Sequence, residues 1–268
     1  MLRSPIRYFG SKGSFQNEIL DRFPKSEYDT YLEAYGGGAS ILFGIEQPKP
    51  VEIYNDIEEN VYSLMKVLQD PKLFEKFKFI CDVTPHSRKF NSDYRANLRE
   101  DNLTLIDRAF MFFYITRTSF NGLGGYSNPL VVRRGMSKGV SDYLSAVDRL
   151  EDYHQRLSKV QIENIDGVKL LKKHNKENVF CYLDPPYTIE KQNNNNNYYH
   201  GRNFDKNKQK ELVDFLLTTK QKVLLSGYRN YIYVELEKNG WFVEDFDVKV
   251  TKKEKSETKT ETLWRNYE

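Results

Sequence analysis

The apolar run Val179–Leu183 ends on Asp184, Pro185, Pro186 and Tyr187. Five apolar residues without polar alternation read as a strand buried on both faces, the kind found inside a parallel sheet. The prolines explain where it stops, since neither has the N–H that a sheet ladder needs. They do not explain Asp184. A carboxylate at the tip of a buried strand needs partners, because removing it from water unpaired is costly.

The surrounding sequence extends the pattern. Residues 51–54 read as a short strand, and a helix follows with Val61, Leu64, Met65 and Leu68 on one face. Strand-like runs return at 160–165, 222–226 and 242–250, with helical patterns near 206–219 and 229–238. Strands alternating with helices predict an α/β fold, a mostly parallel sheet covered on both faces. Residues 72–157 depart from the alternation. Leu103, Ile106, Phe110, Phe113 and Tyr114 form one helical stripe there, and Val140, Tyr143, Leu144, Val147 and Leu150 form another. The chain therefore divides into a sheet domain, 1–61 and 157–268, and an inserted, mostly helical lobe, 62–156. Two polar segments stand apart, the asparagine run 193–197 and "KKEKSETKTET" at 252–262. The second reads as a solvated loop or hairpin tip, or as a nucleic-acid contact surface.

Composition narrows the classes. No apolar run approaches the ~20 residues of a membrane span and no signal peptide opens the chain, so a soluble, cytoplasmic protein is expected. Cys81 and Cys181 are too few and too far apart for a metal motif or a disulfide framework, and both are expected in the core. A formal net charge of +3 neither demands nor excludes a polyanionic partner.

Two glycine-containing segments suggest a ligand. "YLEAYGGGAS" (31–40) has the form strand, acid, glycines, helix start, so a cofactor could approach the backbone while Glu33 accepts hydrogen bonds from it. A tight turn with no ligand fits the same letters. Asp56 ends the next strand, near the distance at which an acid meets ribose hydroxyls, although it could equally cap the following helix. Gly36 and Gly38 supply G-x-G, but Ile41 stands where a third glycine would fall. That disfavours a nicotinamide dinucleotide and suits a nucleoside cofactor without phosphates. "RYFGSKGSF" (7–15) adds a ring at Tyr8 and a cation at Lys12 beside a glycine turn, able to hold a ligand carboxylate or to be surface only.

The residues after the buried strand suit a particular reaction. An exocyclic amine such as N6 of adenine is a poor nucleophile, because its lone pair is delocalised into the ring. Two acceptors taking its N–H protons can pull the nitrogen toward tetrahedral geometry and aim the lone pair at an electrophile. Asp184 and the carbonyl of Pro185 supply the acceptors, and Tyr187 supplies a face for the base to stack on.

With these pieces in order (RYFGSKG, YLEAYGGGAS, YNDIEEN, TRTSFNGLGGYS, QIENIDG, YLDPPYT, ETLWRNY), the chain resembles the Dam-type, D12 class DNA adenine-N6 methyltransferases from residue 7 to 267. The resemblance implies a Rossmann-like sheet with an inserted DNA-recognition lobe, and S-adenosyl-L-methionine as cofactor. It implies Tyr8 and Lys12 at the methionine end, Glu33, Gly36 and Gly38 along the centre, and Asp56 on the ribose hydroxyls. Ile57 would pack on the cofactor adenine, Asp166 would meet its amine or only cap a helix, and Asp184 would border the cofactor while gripping the target base. No metal and no covalent enzyme intermediate are implied.

The implied partner is double-stranded DNA, bound by a monomer or weak dimer, with the target adenine swung out of the stack. In TRTSFNGLGGYS, Phe120 would wedge between base pairs, Asn121 would face the orphaned base, and Arg117 would meet phosphate or a base edge. A helix end with Phe120 in the core is the alternative. Relatives that read GATC carry an arginine where this chain has Gly125, which puts that specificity in doubt; Arg133, Arg134 and Arg7 are candidate DNA contacts. Methylation of cytosine N4 or of RNA adenine, and a non-catalytic DNA-binding role, are the competing readings.

Overall fold

The structure is a computed structural model that describes residues 2–8, 10–122, 124–187, 204–252 and 255–268. The asparagine run 193–197 lies outside the described residues. The strands are β1 (Thr30–Glu33), β2 (Val51–Asn55), β3 (Val132–Arg133), β4 (Met136–Ser137), β5 (Gln161–Glu163), β6 (Val179–Leu183), β7 (Lys222–Gly227), β8 (Phe242–Lys252) and β9 (Lys255–Arg265). The helices are α1 (Gln16–Leu20), α2 (Ser40–Gly44), α3 (Glu59–Gln69), α4 (Pro71–Val83), α5 (Arg88–Asn97), α6 (Leu105–Thr118), α7 (Lys138–Val147), α8 (Leu150–Leu157), α9 (Gly167–Lys173), α10 (Lys206–Leu216) and α11 (Val234–Lys238).

Seven strands form one sheet in the order β5-β2-β1-β6-β7-β9-β8, parallel from β2 through β7 and antiparallel at β9 and β8. The expected α/β fold with a mostly parallel sheet is what the chain adopts. β6 lies between β1 and β7, which is why both of its faces are apolar. Residues 255–265 form β9, paired with β8 from Lys252↔Lys255 to Phe242↔Arg265; the hairpin expected at 252–262 is present, but the segment from 255 onward is strand and not solvated loop. Threonines and charges alternate along that segment, so it carries no apolar signal of a strand.

Register separates the two faces of this sheet by chemistry. Leu32, Ile53, Cys181, Leu183, Val223, Leu225 and Trp264 share one face and are fully buried in a core with α9, α10 and α11. The opposite face carries Tyr31, Glu33, Glu52, Tyr54, Phe180, Tyr182, Leu224, Ser226 and Leu263, also buried. Alternation along β6 continues into Asp184, which therefore follows Phe180 and Tyr182 onto the polar face.

Contacts divide the chain into two units, one of residues 1–14, 37–44 and 58–162, the other of 15–36, 45–57 and 163–268. The second holds most of the sheet and its helices; the first is helical apart from the β3–β4 hairpin. Sequence patterning placed 1–14 and 37–44 with the sheet, whereas they pack with the helices. The reason is specific hydrogen bonding: Arg117 Nε and Nη2 donate to the carbonyls of Pro5 (2.6 Å) and Ser4 (2.9 Å), and Arg156 Nη2 donates to that of Leu42 (3.2 Å). Four helix starts in this unit, those of α4, α5, α6 and α7, carry side-chain caps. Asp70 accepts from Lys72 N and Leu73 N with Pro71 at the first helical position, and Ser87, Thr104 and Ser137 cap α5, α6 and α7. α6 is buried around most of its girth, from Ala109 to Thr116. Cys81 and Cys181 are both free and buried, as expected of small core residues, and burial raises both thiols.

Candidate active site

β6 delivers Asp184 to the carboxyl end of the parallel strands, where ligands of open α/β sheets bind. Two hydroxyls converge on one oxygen of that acid: Tyr187 Oη and Ser226 Oγ each lie 3.1 Å from Asp184 Oδ1. Ser226 also meets Tyr182 Oη at 2.9 Å, and Glu261 Oε1 on β9 is a second, alternative acceptor for the Tyr187 hydroxyl. The Tyr187 ring leans on Tyr228, with centroids 4.5 Å apart. Burial, followed by the negative charges of Asp184 and Glu261, pushes the Tyr187 phenol well above its ordinary pKa, so it stays neutral. Pro185, next along the chain, is buried. The arrangement fixes a carboxylate through two donors while leaving a ring beside it.

Sequence reasoning missed Ser226 and Glu261. Ser226 had a signal, a lone hydroxyl closing the apolar run of β7. Glu261 had none, since it sits among the alternating charges and threonines of β9.

The neighbouring strand ends are tied together by Asn55. Its Nδ2 donates to the carbonyls of Ala34 (2.8 Å) and Ile165 (3.0 Å), and its Oδ1 accepts from Ile165 N (2.9 Å). Asn164 donates to the carbonyl of Asp56 at 2.7 Å. Three loops that follow β1, β2 and β5 are thus held together, bringing Glu33, Gly36, Asp56, Ile57 and Asp166 to one end of the sheet. Glu33 is 2% exposed and accepts from Tyr31 Oη at 2.9 Å. Asp56 is half-buried beside Ile57, whose apolar side chain is 58% exposed. An acid next to an exposed flat apolar surface suits a ribose diol with an attached base. The hydroxyl of Tyr35, buried there, has no hydrogen-bond partner among the described residues.

Asp166 caps α9, accepting from Lys169 N at 3.0 Å, while its other oxygen pairs with Lys208 Nζ at 3.2 Å. Burial works against its ionisation, but these donors hold the carboxyl below its ordinary value. The glycines answer to the protein's own rings. A Cβ on Gly36 would overlap the Tyr54 ring, and one on Gly167 would come within 2.6 Å of the Tyr35 ring. Packing against these rings already requires glycine at both positions.

The helical unit holds the remaining residues. Gly37 has φ +49° and faces the Tyr8 ring, and Tyr8 packs edge-on against Phe112. A Cβ on Gly38 would lie 2.5 Å from Ser4 Oγ. Lys12 is 9% exposed. Arg117 is occupied by the Ser4 and Pro5 carbonyls, and burial lowers its guanidinium to about 10. Arg7, Arg133 and Lys138 all converge on Asp142, at 2.5, 2.8 and 2.7 Å. Burial opposes ionisation of Asp142, yet Lys138 and Arg7 hold its carboxyl low. Arg134 sits exposed at the tip of the β3–β4 hairpin with φ +52°, donating to Ser145 Oγ at 3.0 Å.

Past the end of α6 the chain forms a short loop that Arg95 braces, donating to Ser119 Oγ at 2.5 Å and to the carbonyl of Gly124. Asn91 adds bonds to Thr118 and Ser119. On that frame Phe120 is 55% exposed and Asn121, at φ +49°, is exposed beside it. The helix does end here, but Phe120 is outside the core. Gly125 has open space around it.

Among the described residues, no helix is long and apolar enough to cross a membrane, and no group of three or more His, Cys, Asp or Glu side chains could hold a metal ion. A family model of the D12 class N6 adenine-specific DNA methyltransferases matches residues 8–257. The chain belongs to that family. The methyltransferase is 24% identical over 261 residues to the type II methyltransferase M1.LlaDCHI of Lactococcus lactis subsp. cremoris, covering 89% of this chain and 85% of that one. It is 25% identical over 200 residues to the modification methylase StsI of Streptococcus sanguinis, covering 70% of this chain and 29% of the relative. A solved structure, precorrin-6y C5,15-methyltransferase from Geobacter metallireducens GS-15, aligns over 95% of this chain and 88% of its own, at 10% identity and a TM-score of 0.39. The methyltransferase modifies adenine N6 in DNA, and its family uses S-adenosyl-L-methionine in general.

Proposed function

We propose that Asp184 and the Pro185 carbonyl hold the N6 amine of a flipped-out adenine while Tyr187 offers its ring to the base. The observation that carries this reading is the fixed carboxylate at the end of β6, gripped through one oxygen by Tyr187 and Ser226. S-adenosyl-L-methionine supplies an activated methyl group when bound. Asp56 accepts from its ribose hydroxyls and Ile57 packs on its adenine, in keeping with the acid and the exposed apolar surface found together there. Glu33, Gly36 and Gly38 line its centre, Tyr8 and Lys12 its methionine end, and Asp166 its amine. Asp184 borders it on the side of the target base.

Duplex DNA is contacted by the helical unit. Phe120 enters the stack and Asn121 faces the unpaired partner base, because both project from a braced loop into solvent. Arg133 and Arg134 lie on an exposed hairpin with Leu130, Val131 and Val132, an apolar and cationic combination suited to a groove. Arg7 contributes through its shared acid, Asp142. Arg117 is better used as a strut for the N-terminal segment than as a DNA contact. The protein acts in the cytoplasm, as a monomer or weak dimer on DNA.

Incubation with labelled cofactor and mixed-sequence duplex, followed by nucleoside analysis, tests the reaction. N6-methyladenine is expected; N4-methylcytosine in its place, or label in RNA alone, would defeat the reading. Phe120→Ala is expected to slow methylation of a paired adenine more than of a mismatched one, since a mismatched base is easier to unstack. Equal losses on the two substrates would remove the wedge role.

A further inference from the structure

The hydroxyl of Tyr187 serves two carboxylates, Asp184 Oδ1 at 3.1 Å and Glu261 Oε1. A phenol has a single hydrogen and donates it to one acceptor at a time. When that hydrogen turns to Glu261, the phenolic oxygen presents a lone pair to Asp184 and can accept a proton from it. Tyr187 thereby couples an acid at the reacting centre to a second acid that is 6% exposed. Sheet register fixes that second acid. Leu263 of β9 pairs with Ser226 of β7, and strand alternation puts Glu261 on the same face, beside Asp184.

Methyl transfer to a neutral amine leaves one proton too many on the nitrogen. Asp184 is the nearest base, yet with adenine seated against it this carboxylate faces substrate, and a proton left there would block the next turnover. Resting on the capture of adenine at Asp184, we infer that Glu261 is the terminal acceptor of this proton, received through Asp184 and Tyr187. The N6 lone pair forms the bond to the methyl carbon as the carbon–sulfur bond of the sulfonium donor breaks, its electrons remaining on a neutral thioether. One N6–H bond then breaks and its proton passes to Asp184. Asp184 gives a proton to the Tyr187 oxygen as the phenolic proton passes to Glu261. Asp184 and Tyr187 finish as they began, and Glu261 finishes as a carboxylic acid that later returns its proton to water.

The groups facing this path are Asp184, Glu261, Tyr182, Ser226 and the Tyr228 ring. Burial keeps the Tyr187 phenol neutral, so it passes a proton on without losing its own. The other donor to Asp184 leads nowhere comparable. Ser226 continues to the Tyr182 phenol and the Leu183 carbonyl, neither of which is a base at neutral pH. Of the two hydroxyls described on Asp184, the one of Tyr187 leads to a carboxylate.

Glu261→Gln keeps an oxygen for the Tyr187 hydroxyl but cannot take the proton, so Glu261 acts here as a positioning and proton-accepting group tested through that variant. Its single-turnover methylation rate is expected to fall about tenfold or more, with unchanged affinity for cofactor and DNA and unchanged fluorescence of 2-aminopurine at the target position. Tyr187→Phe, which keeps the ring, should lose a similar factor, and combining the two should lose no more than either alone. A wild-type rate in Glu261→Gln overturns the inference, as does a combined loss equal to the product of the single losses. If Glu261→Gln loses cofactor binding or melts early, Tyr187→Phe decides: full rate in that variant overturns the inference, and a slowed rate with intact base capture upholds it. Wild-type protein that methylates no DNA would fell the proposed function and this inference together, whereas wild-type methylation beside an unaffected Glu261→Gln fells only the inference.

Discussion

Asp184→Ala lowers the single-turnover rate of adenine methylation by about 10²- to 10³-fold, the usual consequence of deleting one preorganised hydrogen-bonding group from a reacting centre. In the proposed capture the amine would lose one of its two acceptors, and its lone pair would relax back into the ring. Tyr187 and Ser226 lose their shared partner as well, although Tyr187 keeps Glu261. Asp184→Asn, which retains one acceptor oxygen, should fall between the variant and the wild type. DNA affinity is expected to stay close to that of the wild type, because the proposed phosphate and groove contacts are made by other residues. Rapid-quench measurement with labelled cofactor, alongside a DNA-binding titration, reads both. A rate within a few-fold of wild type would remove Asp184 from the chemistry. A parallel collapse of DNA binding would mean that the substitution had disrupted the fold.

The largest effect on stability is expected from Gly122→Ala. Gly122 has φ +83°, and an added Cβ would overlap the backbone carbonyl of Arg7. Backbone cannot yield as a side-chain tip can. A left-handed residue costs about 1–2 kcal/mol and overpacking about 1–3 kcal/mol, so a loss of ~3 kcal/mol is expected. For a unit of this size that corresponds to a fall in Tm of about 6–12 °C. Gly125→Ala, three residues on, meets nothing within 4 Å and serves as the control with little change. Scanning calorimetry distinguishes the two variants, and equal melting temperatures would show that the turn adapts.

Much of the sheet was legible because its signal is local. β6 falls on Val179–Leu183 as its unbroken apolar run implied, and prolines marked its end. β7 and the start of β8 were read from similar runs. β9 was not, since its outer part alternates threonine with charge and its pairing with β8 is decided by register. The grouping of residues 1–14 with the helical unit was equally hidden. It rests on side chains that reach far along the chain, Arg117 to carbonyls 112 and 113 positions away, Arg7 to Asp142 and Tyr8 to Phe112, and no periodicity announces such contacts. At the site, the acid and tyrosine stood out because they interrupt an apolar strand, whereas Glu261 gained its meaning only when β9 was laid beside β7. The glycine run 36–38 was visible, but the room that Gly36 makes for the Tyr54 ring was not, because that ring comes from another strand.

The two units exchange the chain after Ser14, Gly36, Gly44, Ile57 and Ile162. Neither is a contiguous stretch of polypeptide, so neither can be excised by a single cut or synthesised to completion before the other has begun. Transplanting either unit into another protein would demand matched splices at every junction. Under the proposed DNA contacts, specificity is more readily altered by substitutions in the loop after α6 and the β3–β4 hairpin than by wholesale exchange.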